Sequence, residues 1–199
     1  MRPRRRRIDG VLMAIALAAI LPGAGCNLFE ARKPAEGGTS NTVWTPPTTP
    51  NIVVENLRLA LEAGIFGDYS RAFTDDFTFV PDATDVVQLG IERPGQAVFD
   101  GWTRDVETQV AESIRTAATS LDLQLVFSSE QIVAEGRLQK YDYTLTLTTA
   151  TRTDVYQGQA WFEIHPIPGG EWRIARWEDV ITPQTNESWG RLKGRNRQV

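Results

Sequence analysis

Residues 121–127 read LDLQLVF and residues 141–148 read YDYTLTLT, two runs in which apolar and polar side chains alternate. A period of two puts Leu121, Leu123, Leu125 and Phe127 on one face, and Tyr141, Tyr143, Leu145 and Leu147 likewise. That is the pattern of half-buried antiparallel strands. Two more β-type runs follow, over about 154–166 and 171–181, with breaks near Ser129-Glu130 and Thr151-Arg152 that suit hairpin turns. Upstream the period is that of a helix. Thr49 is placed to cap a helix with Pro50 at its first position, where a missing N–H costs nothing. Val53, Val54, Leu57, Ala60 and Leu61 then recur at helical spacing up to Gly64. Asp68 is placed to cap a second, short helix carrying Tyr69, Ala72 and Phe73, and Phe77 and Phe79 alternate as a short strand ending at Pro81-Asp82. Trp102, Val106, Val110 and Ile114 predict a third helix over about 101–117. Helices first and a meander of long strands afterwards define an α+β domain with helices on one side of a sheet.

The last hairpin turns at Ile167-Pro168-Gly169-Gly170. Proline forbids the positive φ that the first residue of a tight two-residue turn requires. A three-residue loop satisfies the chain, with Pro168-Gly169 in a type I turn, Gly170 left-handed and Ile167 paired with Glu171. Counting back puts Ile164 opposite Ile174, Phe162 opposite Arg176 and Ala160 opposite Glu178. The other face then carries Trp161 opposite Trp177, with His165 opposite Arg173. In this register Arg176 and Glu178 face inward, and the two indoles form either an ordinary half-exposed sheet face or a homodimer contact.

The order of elements, with Asn56-Leu57-Arg58-Leu59-Ala60, Tyr69 to Phe79, and Glu171-Trp172-Arg173-Ile174-Ala175-Arg176-Trp177-Glu178-Asp179, resembles the nuclear transport factor 2-like (SnoaL-like) fold over residues 50–181. The resemblance implies a conical, curved antiparallel sheet packed on about three helices and closing over an apolar pocket. Tyr69, Phe79, Trp102, Tyr143, Arg176 and Glu178 are the residues expected to line it. Proteins of this fold include isomerases, dehydratases and binding modules, so the fold does not choose a reaction.

Outside that stretch the composition changes. The chain has 199 residues and a formal net charge of −4. Its first 25 residues hold five arginines and one aspartate, which leaves 16 basic and 24 acidic residues beyond them. An acidic mature part argues against nucleic acid as a partner. Arg2, Arg4, Arg5, Arg6 and Arg7 precede an apolar run from Val11 to Leu21. As a helix that run spans roughly 16 Å, about half a bilayer core, too short to cross and suited to a signal peptide. A break of Pro22-Gly23-Ala24-Gly25-Cys26 follows, ending on the only cysteine, and the whole resembles a bacterial lipoprotein signal. The resemblance implies cleavage after residue 25, lipid attachment at Cys26, and a protein exported and held at the extracytoplasmic side of the cell envelope. Residues 26–49, rich in Pro, Gly, Thr and Ser, read as a flexible tether in which Trp44 is exposed or loosely docked. Residues 182–199, with Arg191, Lys193, Arg195 and Arg197, read as a basic, solvated tail with Trp189 packing back on the domain.

Chemistry is sparse. A lone cysteine excludes a disulfide framework and a cysteine-built zinc site. The single histidine, His165, reads as a hydrogen-bonded edge residue rather than a base, and no phosphate-binding loop, nucleophile elbow or dinucleotide fingerprint is present. Neither a cofactor nor a metal is expected. Asp75-Asp76 reads as a solvated turn, and Glu178-Asp179 as the counter-charge of Arg173 and Arg176. Two readings remain: a non-catalytic binding or scaffold protein, or a small enzyme moving a proton on an apolar ligand with a pocket carboxylate from among Asp142, Glu163, Glu178 and Asp179, aided by Tyr69, Tyr141 or Tyr143. A packed cone favours the first. A hollow one, with a desolvated carboxylate facing a tyrosine, favours the second.

Overall fold

The computed structural model describes residues 42–198. The signal, Cys26 and most of the predicted tether lie outside the described residues. Helices α1 (Pro50–Ala63) and α2 (Phe66–Arg71) lead into strand β1 (Phe73–Val80), followed by α3 (Ala83–Glu92) and α4 (Arg104–Ala117). Strands β2 (Ser120–Val133), β3 (Gly136–Thr148), β4 (Thr153–Pro166) and β5 (Trp172–Val180) then form the meander, and α5 (Trp189–Asn196) ends the described chain. The sheet order is β1-β5-β4-β3-β2, antiparallel throughout except for the parallel β1–β5 pair. This is the expected α+β fold, a curved five-stranded sheet with helices packed against it.

Local rules explain the helix ends. α1 starts at Pro50, preceded by an extended Thr49 whose side chain makes no capping hydrogen bond, and stops at Gly64, whose φ of 71° is left-handed. Its buried stripe is the one its spacing dictates: Val53, Val54, Leu57, Ala60 and Leu61. α4 begins later than expected, at Arg104, because Thr103 caps it by accepting from the Val106 amide. Asp68 caps nothing. It lies inside α2, and its carboxylate accepts from Thr42 Oγ1 at 2.6 Å and the Val43 amide at 2.9 Å. Helix α3, capped by Asp82, was not foreseen. Nor was helix α5, capped by Ser188, where a solvated tail was expected.

The packed domain therefore starts before Pro50. Asn56 exchanges two hydrogen bonds with the Thr45 backbone, and the Trp172 amide donates to Pro47 O at 2.9 Å. Trp44 is half-buried, with the guanidinium carbons of Arg71 and Arg173 at 4.4 and 4.9 Å from its ring centroid. This clamp replaces the loosely docked ring that composition suggested.

The hairpin after β4 has the predicted three-residue loop, with the Ile167 amide donating to Glu171 O at 2.8 Å. Gly169 and Gly170 both have positive φ, 98° and 82°. A positive φ at Gly169 is incompatible with a type I turn and fits type II. Ile164 pairs with Ile174 as counted, but Glu163 then pairs with Arg176, leaving Ala175 as an unpaired extra residue. This bulge reverses which side chains face inward over the rest of β5. Trp177, opposite Phe162, is completely buried. Arg176 and Glu178 instead form an outward ion pair at 2.9 Å. The inward placement of Arg176 and Glu178 is thus corrected. So is the indole pair: Trp161 stays on the outer face beneath Lys140 Nζ, 3.4 Å from its ring centroid, so no surface presents both tryptophans. The expected break at Ser129-Glu130 is a second irregularity, since β2 continues past it to Val133.

The bulge has a direct stability signature. Trp177→Ala should cost about 3–5 kcal/mol in urea unfolding, while Trp161→Ala should cost under about 1 kcal/mol. Equal losses would mean the two rings share an environment.

Candidate functional site

Four of the six expected pocket residues come together on the inner side of the sheet: Tyr69, Phe79, Trp102 and Tyr143 are all buried. Phe79 packs edge-on to Trp177 and tilted against Trp102, with centroids 5.8 and 5.1 Å away. Arg176 and Glu178 are absent from this group for the reason given above. The chemistry there comes chiefly from Glu107, Lys193 and Asp85, to which the sequence reading gives no place in a pocket, together with Asp179, one of its candidate carboxylates.

Glu107 is fully buried on α4, one helical turn before Val110 and Ala111 on the same buried stripe. Its Oε1 accepts from the Tyr69 hydroxyl at 2.7 Å and its Oε2 from Trp102 Nε1 at 2.9 Å. Lys193 Nζ, on α5, makes an ion pair with Oε1 at 2.8 Å. The same ammonium lies 3.1 Å from the centroid of Trp177 and 4.1 Å from that of Phe79. An ammonium on aromatic faces, away from water, gains from the ring quadrupoles. Burial pulls Lys193 down to about 8, against Glu107 and Asp179, which hold it up. Burial also pushes the Tyr69 hydroxyl well above its ordinary value, with the Glu107 charge adding to it.

A second polar group lies at the start of α5. Ser188 caps the helix by accepting from the Arg191 amide and donates its own proton to buried Asp85, which Arg191 Nε also reaches at 3.1 Å. Desolvation raises Asp85, against the hydrogen bond from Ser188. Asp179 Oδ2 accepts the Gly190 amide at 2.7 Å, while its Oδ1 has no hydrogen-bond partner. Burial pushes Asp179 to about 7, against the pull of the Gly190 amide and Lys193. Gly190 is required here, since a Cβ would stand 2.7 Å from Asp179 Oδ2 and 2.9 Å from Asp85 Oδ2. The Trp189 amide donates to the Tyr143 hydroxyl at 2.8 Å, and the Trp189 ring meets Trp177 edge-on at 4.5 Å.

The sum of these contacts is an interior filled by α5. Trp189, Leu192 and Lys193 are buried there, and the Glu107 carboxylate is met by two hydrogen-bond donors and one ammonium from the chain itself. Cavities of about 410, 400 and 440 Å³ open elsewhere: between α4 and the C-terminal residues, beside Arg71, Arg104 and Arg173, and over the β3–β4 outer face. Among the described residues no group of three or more His, Cys, Asp or Glu is arranged to hold a metal ion. His165 sits at the sheet edge, 2.9 Å from Glu163 Oε1. No helix among the described residues is long and apolar enough to cross a membrane.

Comparison with known proteins bears on the fold alone. No family model matches the chain, and no curated protein matches it. Solved structures do. A conserved protein from Planctomyces limnophilus is 16% identical with a TM-score of 0.53, covering 67% of this chain and 93% of its own. A candidate scytalone dehydratase from Novosphingobium aromaticivorans is 12% identical with a TM-score of 0.52, covering 71% and 91%. A nuclear transport factor 2-like protein of unknown function from Exiguobacterium aligns over 66% of this chain and 99% of its own, at 14% identity and a TM-score of 0.45. The likeness at these identities is one of fold alone, and it rests on the first two structures, whose TM-scores exceed 0.5.

The buried acid sets a pH dependence. Because Asp179 binds its proton more tightly folded than unfolded, its contribution is full below the ordinary carboxyl value of 3.8 and is lost as pH rises toward about 7. Unfolding free energy should therefore fall across pH 4–7, and Asp179→Asn should flatten that slope. An unchanged slope in Asp179→Asn would assign the effect to other groups.

Proposed function

We propose that this chain is an exported, lipid-anchored cell-envelope protein whose nuclear transport factor 2-like domain is a non-catalytic binding module, using its outer surface. The observation that carries the reading is the interior occupied by α5. A general base must reach a substrate proton within about 3 Å or through one water. Glu107 instead spends its oxygens on Tyr69, Trp102 and Lys193. Another acid on this side, Asp179, pushed up by burial, lies beneath Gly190 of α5. Glu107 and Asp179, buried acids on this side of the sheet, are both committed to holding α5 in place, which is a structural use.

The anchor half of the proposal rests on the arginine-rich start, the apolar run and the small residues before Cys26. Several acyl chains, each methylene contributing about 0.8 kcal/mol, would hold the protein firmly at a bilayer surface. In a Cys26→Ser chain, lipid labelling should disappear and unprocessed precursor accumulate; normal processing and release would refute the anchor.

The filled interior is tested separately by native-state hydrogen exchange. The amides of Leu192 and Lys193 should exchange as slowly as those of Tyr143 and Leu145 in β3, through opening of the whole domain. Exchange at least about a hundredfold faster in α5 would show a helix that leaves readily, and would favour an enzyme with Glu107 or Asp179 as its base.

A further inference from the structure

We infer that the arginine-lined cleft beside Trp44 binds a phosphate group. The cleft, about 400 Å³, is lined by Arg71 at the end of α2, Phe73, Thr74 and Asp75 on β1, Arg104 at the start of α4, Ile167 and Pro168 of the last hairpin, and Arg173 on β5. Three guanidinium groups thus converge from three separate elements. Two of them are fixed in position before any ligand arrives, because Arg71 and Arg173 stack on the Trp44 ring. A stacked, planar guanidinium loses little freedom when it binds an oxyanion.

The donors are only partly used. Among the described residues Arg71 donates no hydrogen bond, its nearest carboxylate oxygen being Glu171 Oε1 at 3.6 Å. Arg104 Nε is buried without a hydrogen-bond partner, and Asp105 Oδ1 is 3.7 Å away. The Thr74 hydroxyl, also buried, lies beside the Asp76 carboxylate and helps hold it below the usual carboxylate range. The acidic groups facing these arginines are Glu171, which holds Arg173 at 2.5 Å, Asp105, and Asp75, which pairs with Arg104. The Asp75 side chain is 95% exposed, so water competes for that pair and an arriving anion displaces little. Arg104 is also the first residue of a 14-residue helix, whose positive end adds to the field. Donors approaching from three directions suit a tetrahedral phosphate better than a planar carboxylate. The phosphate belongs either to a small phosphorylated molecule or to a phospholipid headgroup. The cleft lies outside the α5-filled interior, so this inference stands whether or not the domain is an enzyme.

The test is calorimetric titration of the full chain in a non-ionic detergent, with inorganic phosphate and, separately, with glycerophosphoglycerol, a deacylated headgroup. Sodium chloride at matched ionic strength is the blank. Saturable binding should appear and weaken at least about tenfold in Arg71→Gln and in Arg104→Gln, each losing a charge-assisted hydrogen bond. Arg176→Gln, on the outer face of the sheet, should bind as the parent does, and thermal unfolding without ligand checks that every variant is folded. Tighter binding of inorganic phosphate points to a phosphorylated small molecule, and tighter binding of the diester to a headgroup. If neither probe binds saturably, if Arg104→Gln binds unchanged, or if Arg176→Gln weakens binding as much, the cleft is not a phosphate site.

Discussion

A carboxylate sealed from water is the constraint around which this molecule is arranged. Glu107 is completely buried, and an unpaired charge in such a place would cost several kcal/mol. Its neutralisation draws on widely separated parts of the chain: Tyr69 from α2, Trp102 from the segment before α4, and Lys193 from α5. Lys193 in turn needs aromatic faces, which Trp177 and Phe79 supply from β5 and β1. The pair is weak evidence for net stability, since an apolar replacement of equal shape often does as well. Its effect is on specificity: few other packings of α5 bring an ammonium to that point.

The second constraint is geometric. The unpaired Ala175 turns Trp177 and Asp179 inward and sends Arg176 and Glu178 out. Without it the inner wall at this point would present two charges instead of an indole and a buried acid. The aromatic cluster of Phe79, Phe162, Trp177 and Trp189 could not then form. Gly190 completes the fit, because only a residue without a side chain lets α5 lie against Asp179 and Asp85.

Much of the fold could be read in the sequence because it is written in periodicity. Leu121 to Phe127 and Tyr141 to Thr148 alternate cleanly, and α1 carries both its stripe and its stop at Gly64. The site was less legible, for identifiable reasons. A bulge leaves no mark on an alternating pattern, since Arg-Trp-Glu-Asp reads equally well in either phase, so Arg176 and Glu178 were placed inside. Glu107 sits on a helix rich in polar residues, where nothing local separates a buried glutamate from a solvated one. Lys193 lies among arginines that read as a tail. Only the spacing of Trp189, Leu192 and Lys193, three and four residues apart, hinted that one face of α5 was committed.

The contacts that seat α5 join residues very far apart along the chain: Ser188 with Asp85, Arg191 with Asp85 and Arg93 with Gly194 are separated by 103, 106 and 101 positions. Closing loops of that size is entropically unfavourable, so such contacts tend to form after the local hairpins of the meander. Interactions absent from the folding transition state are felt mainly in how fast the native state comes apart. The last helix thus acts as a kinetic latch, governing the lifetime of the closed domain far more than the speed with which it is made.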